Sequence, residues 1–276
     1  MRKNIVFLNG AVISANQKLA DSLFPYRLRG KGVFEAMRAY NGRIFALDEH
    51  LKRFDKGITF LRLELSVPKK EIKKQIYFLL KANRLPSARI RLVAWEEKGK
   101  ARILIAALPY EPPARRKYTK GFKAFISKIR INEKSPLANK KSVSHSFLFK
   151  AFCEAKKRHC DEALLLNRRG FLCEGSRSNL FYVKDSVLFT PALSCGCLAG
   201  VTRAAILEIA WTLKIKCRKI SALPEKLFKA DEAFLTNSLM EVMPLTFVAG
   251  RPIGDGCVGK ITTKLLLSYR RRLFRG

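Results

Sequence analysis

Acidic residues are scarce in this 276-residue sequence, which has 22 aspartates and glutamates against 55 lysines and arginines, giving a formal net charge of +33. No apolar run of about 18 residues occurs, which excludes an ordinary transmembrane helix. The apolar segment within MRKNIVFLNGAV, at the start, is too short for a secretory signal peptide. Hydrophobic residues make up 48%, as in ordinary globular proteins, so we expect a cytoplasmic protein without a membrane partner.

Histidines and paired cysteines are also few. The chain has 3 histidines, and its 7 cysteines are an odd number without the spacing of a disulfide framework, as expected in a reducing cytosol. Cys195 and Cys197 form a CxC motif, but no second cysteine or histidine pair stands at zinc-site spacing. We therefore predict no metal site.

The surplus of basic residues raises the question of a nucleic-acid or lipid partner. A large positive charge suits both kinds of anionic surface. The bases are scattered, however, and the densest clusters, residues 115–117 and 270–272, are short and lack interleaved aromatics. We favour a generally basic surface and expect no nucleic-acid partner. The competing class is a basic nucleic-acid-binding protein that has the fold of an enzyme but has lost the enzyme's activity.

Turn signals and apolar patterns predict a chain in which strands and helices are mixed. Asn9-Gly10 and Asn41-Gly42 are typical of tight hairpin turns. Other strands are predicted over residues 88–95, 101–108, 122–131, 231–236 and 242–248, with four more within residues 162–191. Helices are predicted from Asp48 as N-cap, after Pro68, and over residues 144–158, 201–213 and 259–273. Because hairpins dominate, the pattern favours an α+β fold over a doubly wound sheet.

A proline-rich segment interrupts this pattern. Three prolines fall between residues 108 and 113, and a charged run follows to Lys120. Proline lacks a backbone donor and ends regular elements, so this segment is the best linker candidate. We predict a small N-terminal domain over residues 1–109, a linker over residues 110–121 and a larger domain over residues 122–276.

Three features around residues 140–202 could carry chemistry. Glu174 stands among small and polar residues, Lys141 lies upstream, and Gly200-Val201-Thr202 opens a helix downstream. A lysine can bind a carbonyl group covalently, a carboxylate can keep a pyridine nitrogen protonated, and a helix start can bind phosphate. These are the parts that a pyridoxal-phosphate enzyme needs. Taken singly, each is equally well a surface charge or an ordinary helix start.

Six sequence blocks follow one another along the chain: FLNGAVI, GVFEAMRAYNGRIFALDEHLKRF, EALLLNRRGFLCEGSRSNLFYVKDSVLFTP, GCLAGVTRAAILEIA, LTNSLMEVMPL and IGDGCVGKITTKLL. In order and separation they resemble the class IV aminotransferases, which are fold-type IV pyridoxal-phosphate enzymes. That family includes branched-chain aminotransferases, D-amino acid aminotransferases and aminodeoxychorismate lyases. The resemblance implies a two-domain α+β fold, pyridoxal 5′-phosphate (PLP) held mainly by the larger domain, and a homodimer.

The resemblance also implies how the cofactor is held. Arg53, in the His-x-x-Arg motif, would bind the phosphate together with the backbone amide of Val201 and the hydroxyl of Thr202. Ser238 stands where many family members have a threonine that touches the phosphate. Glu174 would pair with the pyridinium nitrogen.

Three further residues are implied to contact the substrate. Phe34 stands where family members place an aromatic ring against it. Arg91 matches a basic position that shapes the carboxylate pocket. Leu239 would lie in a turn whose backbone faces the substrate carboxylate.

Two neighbouring lysines compete for the covalent link to the cofactor. The lyase and D-amino acid branches read K-x-x-N, which Lys141 fits with Ser144 in place of asparagine. The branched-chain branch reads K-x-G-G-N-Y, which points to Lys140 and places His145 where the tyrosine stands. Since both glycines are absent, the resemblance favours Lys141 as the catalytic lysine.

The same resemblance leaves two reactions open. The loop at residues 95–100 lacks the histidine of the D-amino acid branch. The favoured reaction is transfer of the amino group of an L-amino acid, of branched-chain type, to 2-oxoglutarate. The alternative is the aminodeoxychorismate lyase reaction, which forms 4-aminobenzoate and pyruvate in the folate pathway.

Overall fold

The computed structural model describes residues 4–15, 28 and 30–275, without the side chains of residues 274 and 275. The chain forms two compact units. The first comprises Met1–Pro112 with Lys140–Ser146, and the second comprises Pro113–Asn139 with Phe147–Gly276. Residues 140–146, which include the candidate lysines, thus belong with the N-terminal unit.

An antiparallel sheet forms the first unit. Its strands are β1 (Asn4–Leu8), β2 (Ala11–Ala15), β3 (Gly32–Tyr40), β4 (Arg43–Ile44), β5 (Ala88–Glu97) and β6 (Lys100–Pro109), in the order β2-β1-β6-β5-β3-β4. Both predicted Asn-Gly turns are confirmed, since Asn9, Gly10, Asn41 and Gly42 all have positive φ. The β5–β6 turn is shorter than expected, because pairing continues to Glu97 and Lys100.

Two helices, α1 (Leu47–Leu61) and α2 (Lys69–Ala82), cover one face of this sheet. Phe54 of α1 and Ile76 of α2 lie on the apolar faces of their helices and pack with Met37 and Ile90 of the strands. The prediction that Asp48 is the N-cap of α1 is wrong. The N-cap is Ala46, two residues earlier, at φ 52, so Asp48 lies in the first turn of the helix. Acids are favourable there because the helix dipole is positive at that end.

A larger sheet forms the second unit. Its strands are β7 (Phe122–Ile131), β8 (Glu162–Asn167), β9 (Leu172–Gly175), β10 (Asn179–Lys184), β11 (Val187–Pro191), β12 (Cys217–Ile220), β13 (Glu232–Asn237), β14 (Glu241–Val248) and β15 (Arg251–Pro252). The order is β12-β11-β10-β13-β14-β7-β8-β9, with β15 beside β14. Because β9 also pairs with β10, at Glu174 and Asn179, the strand order from β10 to β9 closes on itself.

The other helices of the described residues belong to the second unit, apart from Ser146 at the start of α4. They are α3 (Arg115–Lys120), α4 (Ser146–Lys157), α5 (Val201–Thr212), α6 (Pro224–Phe228) and α7 (Lys260–Arg275), with a 3-10 turn at Leu193–Cys195. The short elements β12, α3 and α6 were not expected from the sequence. Within the described ranges, no helix is both long enough and apolar enough to cross a membrane. The mixture of hairpins and helices confirms the α+β class.

Candidate functional site

The residues implied by the resemblance fall into two groups, one in each unit. The first unit carries Phe34, Arg53, Arg91 and Lys141. The second unit carries Glu174, Val201, Thr202, Ser238 and Leu239. Each group has its own geometry and its own supporting residues.

Residues 141–143 form a short strap along one edge of β3. The Phe34 N–H donates to the Lys141 carbonyl at 3.0 Å, and the Val143 N–H donates to the Gly32 carbonyl at 3.0 Å. The buried Ser142 hydroxyl also donates to the Gly32 carbonyl, at 3.1 Å. This edge is open because β4 pairs only with the far end of β3. Gly32 is needed here, since a Cβ would lie 2.8 Å from both the Val143 side chain and the Ala94 carbonyl.

The strap gives the two candidate lysines different surroundings. Lys141 Nζ lies 4.7 Å from the ring centroid of Phe34, which is 8% exposed. Lys140 Nζ lies 4.8 Å from the ring of Phe60, which is 45% exposed. Lys141 thus lies against a buried ring of the first sheet, whereas Lys140 lies beside a ring that is open to solvent.

His145 follows the strap and is half-buried. Burial lowers the pKa of His145, and the charge of Lys141 lowers it further. A lowered pKa keeps the imidazole neutral at neutral pH, so that one ring nitrogen can donate a hydrogen bond.

Phe34 and Arg91 lie on the same face of the first sheet, opposite the helices. Side chains alternate along a strand, and the register pairs Ala36 with Arg91 and Phe34 with Val93. Arg91 is buried, at 6% exposure, beside the small residues Ala36 and Ala106 on the neighbouring strands. The structure thus brings Phe34, Arg91 and Lys141 to one region of the unit.

Arg53 lies on the helix-covered face, where Glu35 holds it. The Arg53 guanidinium donates from Nε to Glu35 Oε1 and from Nη2 to Glu35 Oε2, both at 2.7 Å. His50 Nδ1 lies 2.8 Å from Glu35 Oε2. Glu35 is fully buried, and this bidentate geometry fixes the plane of the guanidinium.

The charge on Glu35 is strongly favoured in the fold. Burial raises the pKa of the Glu35 carboxyl, but the charges and hydrogen bonds of Arg53 and His50 outweigh it and lower the pKa to about 2. Glu35 is not among the residues that the resemblance implies. The available signal was an acid at a position of β3 that faces the helices, between apolar neighbours.

Glu174 lies where the strands of the second unit close, and it is buried. Its Oε2 accepts a hydrogen bond from the Leu198 N–H at 2.9 Å and a longer one from Asn179 Nδ2 at 3.4 Å. Asn179 Nδ2 also donates to the Leu198 carbonyl at 2.8 Å. A Cβ on Gly200 would collide with Asn179 Oδ1. Asn179 and Gly200 therefore fix Glu174 against the loop that precedes α5.

A second buried acid, Glu162, holds the turn after Glu174. Its carboxylate accepts hydrogen bonds from the hydroxyls of Ser176 and Ser178, the latter at 2.9 Å. Glu162 is 1% exposed. A buried carboxylate with two hydroxyl donors is well satisfied, so Glu162 acts on the shape of the turn rather than on a ligand.

The start of α5 brings two predicted phosphate contacts together. The hydroxyls of Thr202 and Ser238 lie 3.4 Å apart. Val201 and Thr202 are the first two residues of α5, and the N-cap, Gly200, makes no side-chain cap. The first N–H groups of a helix lack partners within it and carry a partial positive charge, which suits an anion.

The turn after β13 is fixed by Asn237. Its side-chain oxygen accepts the N–H groups of Leu239 at 2.9 Å and Met240 at 2.8 Å, and its amide donates to the Arg177 carbonyl at 2.9 Å. These bonds place Ser238 opposite Thr202. They also show that the N–H of Leu239 is bound within the turn.

The CxC motif and the cysteine beside Glu174 carry buried thiols. Cys173, Cys195 and Cys197 are each 1% exposed. Burial raises the pKa of Cys197 to about 12, with the charge of Glu174 adding to the effect, and also raises the pKa of Cys173. The thiols of Cys173 and Cys197 therefore stay protonated at neutral pH and are poor nucleophiles.

Comparison with known proteins gives a consistent result. Residues 32–248 match the family described as amino-transferase class IV. A Methanocaldococcus jannaschii protein, provisionally named a branched-chain-amino-acid aminotransferase, is 30% identical over 275 residues, covering 96% of this chain and 95% of that protein. The Bacillus subtilis aminodeoxychorismate lyase is 28% identical over 283 residues, covering 98% of this chain and 94% of the lyase.

A solved structure extends this likeness to the backbone. The branched-chain amino acid aminotransferase of T.th., complexed with N-(5′-phosphopyridoxyl)-L-glutamate, superimposes with a TM-score of 0.87 at 29% identity. The match covers 99% of this chain and 95% of that chain.

Proposed function

The chain belongs to the class IV aminotransferase family and has its fold-type IV fold, and on that premise we propose that it transfers the amino group of a branched-chain-type L-amino acid to 2-oxoglutarate, with PLP as cofactor. The observation that carries the proposal is the likeness, over nearly the whole chain, to branched-chain aminotransferases. The T.th. enzyme binds a phosphopyridoxyl group joined to L-glutamate, and glutamate is what 2-oxoglutarate becomes on accepting an amino group.

The residues present fit the cofactor. PLP, when bound, supplies an electron sink that makes the substrate Cα proton acidic. Its pyridine nitrogen needs a buried carboxylate, and Glu174 is one, already oriented by the Leu198 N–H. Its phosphate needs hydrogen-bond donors, and the start of α5 offers two hydroxyls, 3.4 Å apart, beside helix N–H groups.

Lys141 is assigned two tasks. Its amine holds the cofactor covalently before substrate binds, and afterwards it takes the proton from the substrate Cα as a general base. Both tasks need a neutral amine for part of the cycle. The place of Lys141 beside the buried Phe34 ring, on a strap fixed to β3, supports this assignment over Lys140.

Glu174 is assigned to keep a proton at the pyridine nitrogen. A carboxylate can do so only while it stays ionised and immobile. The hydrogen bonds from Leu198 and Asn179 stabilise the ionised form, because both groups are donors.

Arg53 is assigned to the phosphate, with Glu35 and His50 as its supports. Glu35 fixes the guanidinium with two parallel hydrogen bonds, so that Arg53 is held in one orientation before any ligand arrives. Glu35 and His50 thereby act as positioning residues, and they touch no substrate in this assignment.

Substrate selection is assigned to the opposite face of the first unit. Phe34 offers an apolar surface for an aliphatic side chain, and the buried Arg91 offers a cation for a carboxylate. Leu239 of the second unit is also assigned to the substrate, through its position in the turn fixed by Asn237; its own N–H is bound within that turn.

The lyase reaction is the second candidate, supported by the likeness to the Bacillus subtilis aminodeoxychorismate lyase. Both reactions begin with proton removal by the same lysine, so the residues assigned above serve either one. They differ in what leaves the substrate afterwards.

An amino-donor screen on the purified protein separates the two. Leucine, isoleucine and valine with 2-oxoglutarate are expected to give glutamate, measured with glutamate dehydrogenase. Aminodeoxychorismate serves as the comparison substrate, with pyruvate release as the readout. Pyruvate release without glutamate formation would replace the proposal by the lyase. The homodimer implied by the resemblance is checked on the same preparation by light scattering.

A further inference from the structure

A separate cavity of about 610 Å³ lies in the second unit, between the C-terminal end of α3, the start of β7 and the loop before α7. None of the residues assigned to PLP or the amino acid lines it. Its size falls within the usual range for small-molecule sites, roughly 300–1,000 Å³.

Cations dominate the lining of this cavity. Arg116, Lys117, Lys120 and Lys123 line it, together with a single acid, Asp161. Asp161 already has two partners. Its carboxylate pairs with Lys117 Nζ at 2.6 Å and accepts a hydrogen bond from the backbone N–H of Lys123 at 3.0 Å. The one negative charge of the cavity is thus already neutralised.

The other three cations, Arg116, Lys120 and Lys123, have no ion-pair partner within the described part of the chain. Lys123 Nζ lies 5.5 Å from the ring of Phe247, which also lines the cavity. Arg116, Lys120 and Lys123 are themselves exposed, but they surround one concave surface, so that their fields add within it. This grouping distinguishes the cavity from the scattered bases elsewhere on the surface.

We propose that this cavity binds a small polyanion with two linked phosphate groups, of the size of pyrophosphate or a nucleoside diphosphate. The charge of a diphosphate is close to that of the three unpaired cations. Lysine and arginine are the side chains that bind phosphate through charge-assisted hydrogen bonds. The Phe247 ring provides an apolar wall for any organic part of the ligand.

Two exposed cysteines make the test selective. Cys257 lines the cavity and is exposed, whereas Cys217 is exposed on β12 and does not line it. The protein is treated with iodoacetamide, and the alkylation of each cysteine is followed by peptide mass spectrometry. Saturating pyrophosphate is expected to slow alkylation of Cys257 by at least about threefold, in proportion to occupancy, while Cys217 is unchanged. Sodium chloride at equal ionic strength serves as the control.

Charge reversal gives the matched variants. Lys120→Glu is expected to abolish the protection of Cys257, whereas Lys226→Glu, an equal change at an exposed position of α6, leaves it intact. Calorimetry with pyrophosphate is expected to show one saturable site per chain in the wild type and none in Lys120→Glu. Lys120 belongs to no part of the amino-transfer site, so aminotransferase activity is expected to be unchanged.

Several results would overturn the proposal. Equal protection of Cys217 and Cys257 would mean screening by a generally basic surface. Protection of Cys257 by single-stranded RNA but not by pyrophosphate would mean a nucleic-acid surface. No heat of pyrophosphate binding in calorimetry would mean that the cavity takes no diphosphate.

Discussion

At the scale of single residues, the charge on Glu35 governs how Arg53 is presented. Glu35 is fully buried and accepts three charge-assisted contacts, two from Arg53 and one from His50. Burying such a carboxylate is costly, and the arrangement is stable only because every contact is made. Loss of the Glu35 charge would leave Arg53 without its fixed orientation.

The first prediction concerns Glu35→Gln. Removing one partner of a buried ion pair is expected to lower the free energy of unfolding by about 3 kcal/mol and to weaken PLP binding. Glu49→Gln, an exposed position on the same helix as Arg53, is expected to change stability by less than about 0.5 kcal/mol. Urea unfolding and a PLP titration measure both effects. A Glu35→Gln protein as stable as Glu49→Gln would contradict the importance of the pair.

The second prediction concerns the pH dependence of the same pair. Folding lowers the pKa of Glu35 from 4.5 to about 2, so below pH 4.5 the unfolded chain binds a proton that the folded chain does not. The stabilisation is therefore full above pH 4.5 and is lost as the pH falls toward 2. The difference in unfolding free energy between wild type and Glu35→Gln is expected to be smaller at pH 3 than at pH 7. A difference that grows on acidification would contradict the lowered pKa.

At the scale of elements, the loop before α5 couples Glu174 to the helix start. Asn179 joins the two, because it binds both Glu174 and the Leu198 carbonyl and packs against Gly200. One side chain thus sets the position of the carboxylate and of the first N–H groups of α5.

The third prediction concerns Gly200→Ala. Its φ of −70° suits alanine, so the expected damage comes mainly from the collision with Asn179 Oδ1, with a tight contact to Arg203 Cβ beside it. We expect a loss of about 1–3 kcal/mol in stability and weaker PLP binding. Asn179→Ala removes the atom that collides, so the double variant is expected to be less damaged than the sum of the two single variants. Additive effects in thermal or urea unfolding would show that the collision is not the cause.

At the scale of the whole molecule, the charge of +33 is the dominant property. Net charge far from zero destabilises a compact chain through self-repulsion. The ion pairs at the surface, such as Lys31–Glu96 and Lys184–Asp231, offset little of this because exposed pairs are weak.

The fourth prediction concerns salt. Raising NaCl from about 0.05 M to about 0.5 M shortens the screening length severalfold. Because repulsion dominates, Tm is expected to rise by roughly 2–5 °C, measured by differential scanning fluorimetry. A fall in Tm would mean that attractive ion pairs outweigh repulsion across the molecule.

The sequence predicted those parts of the fold that depend on local signals. The hairpins at Asn9-Gly10 and Asn41-Gly42 follow from turn chemistry, and β7 matches its predicted bounds, residues 122–131. Short elements such as α6 have no periodicity strong enough to be seen. Local sequence signals also do not predict the strap at residues 141–143, because it pairs with β3, about 110 residues away along the chain.

The residues of the candidate site also differ in whether the sequence could predict them. The resemblance named Glu174, Thr202 and Lys141, while the supporting residues Glu35 and Asn179 were not singled out. Their importance lies in partners that only the fold brings near, such as Arg53 on α1 for Glu35. An acid among apolar strand residues was the available signal for Glu35, and it indicates burial without naming the partner.

The central claim is that Lys141 holds PLP covalently, and the most direct test locates that bond. The protein is incubated with PLP, the link is fixed by borohydride, and peptides are mapped by mass spectrometry, with Lys140→Ala and Lys141→Ala proteins in parallel. We predict a phosphopyridoxyl group on Lys141 in wild type and in Lys140→Ala, and none in Lys141→Ala. Attachment to Lys140, or no attachment in the wild type, would contradict the account.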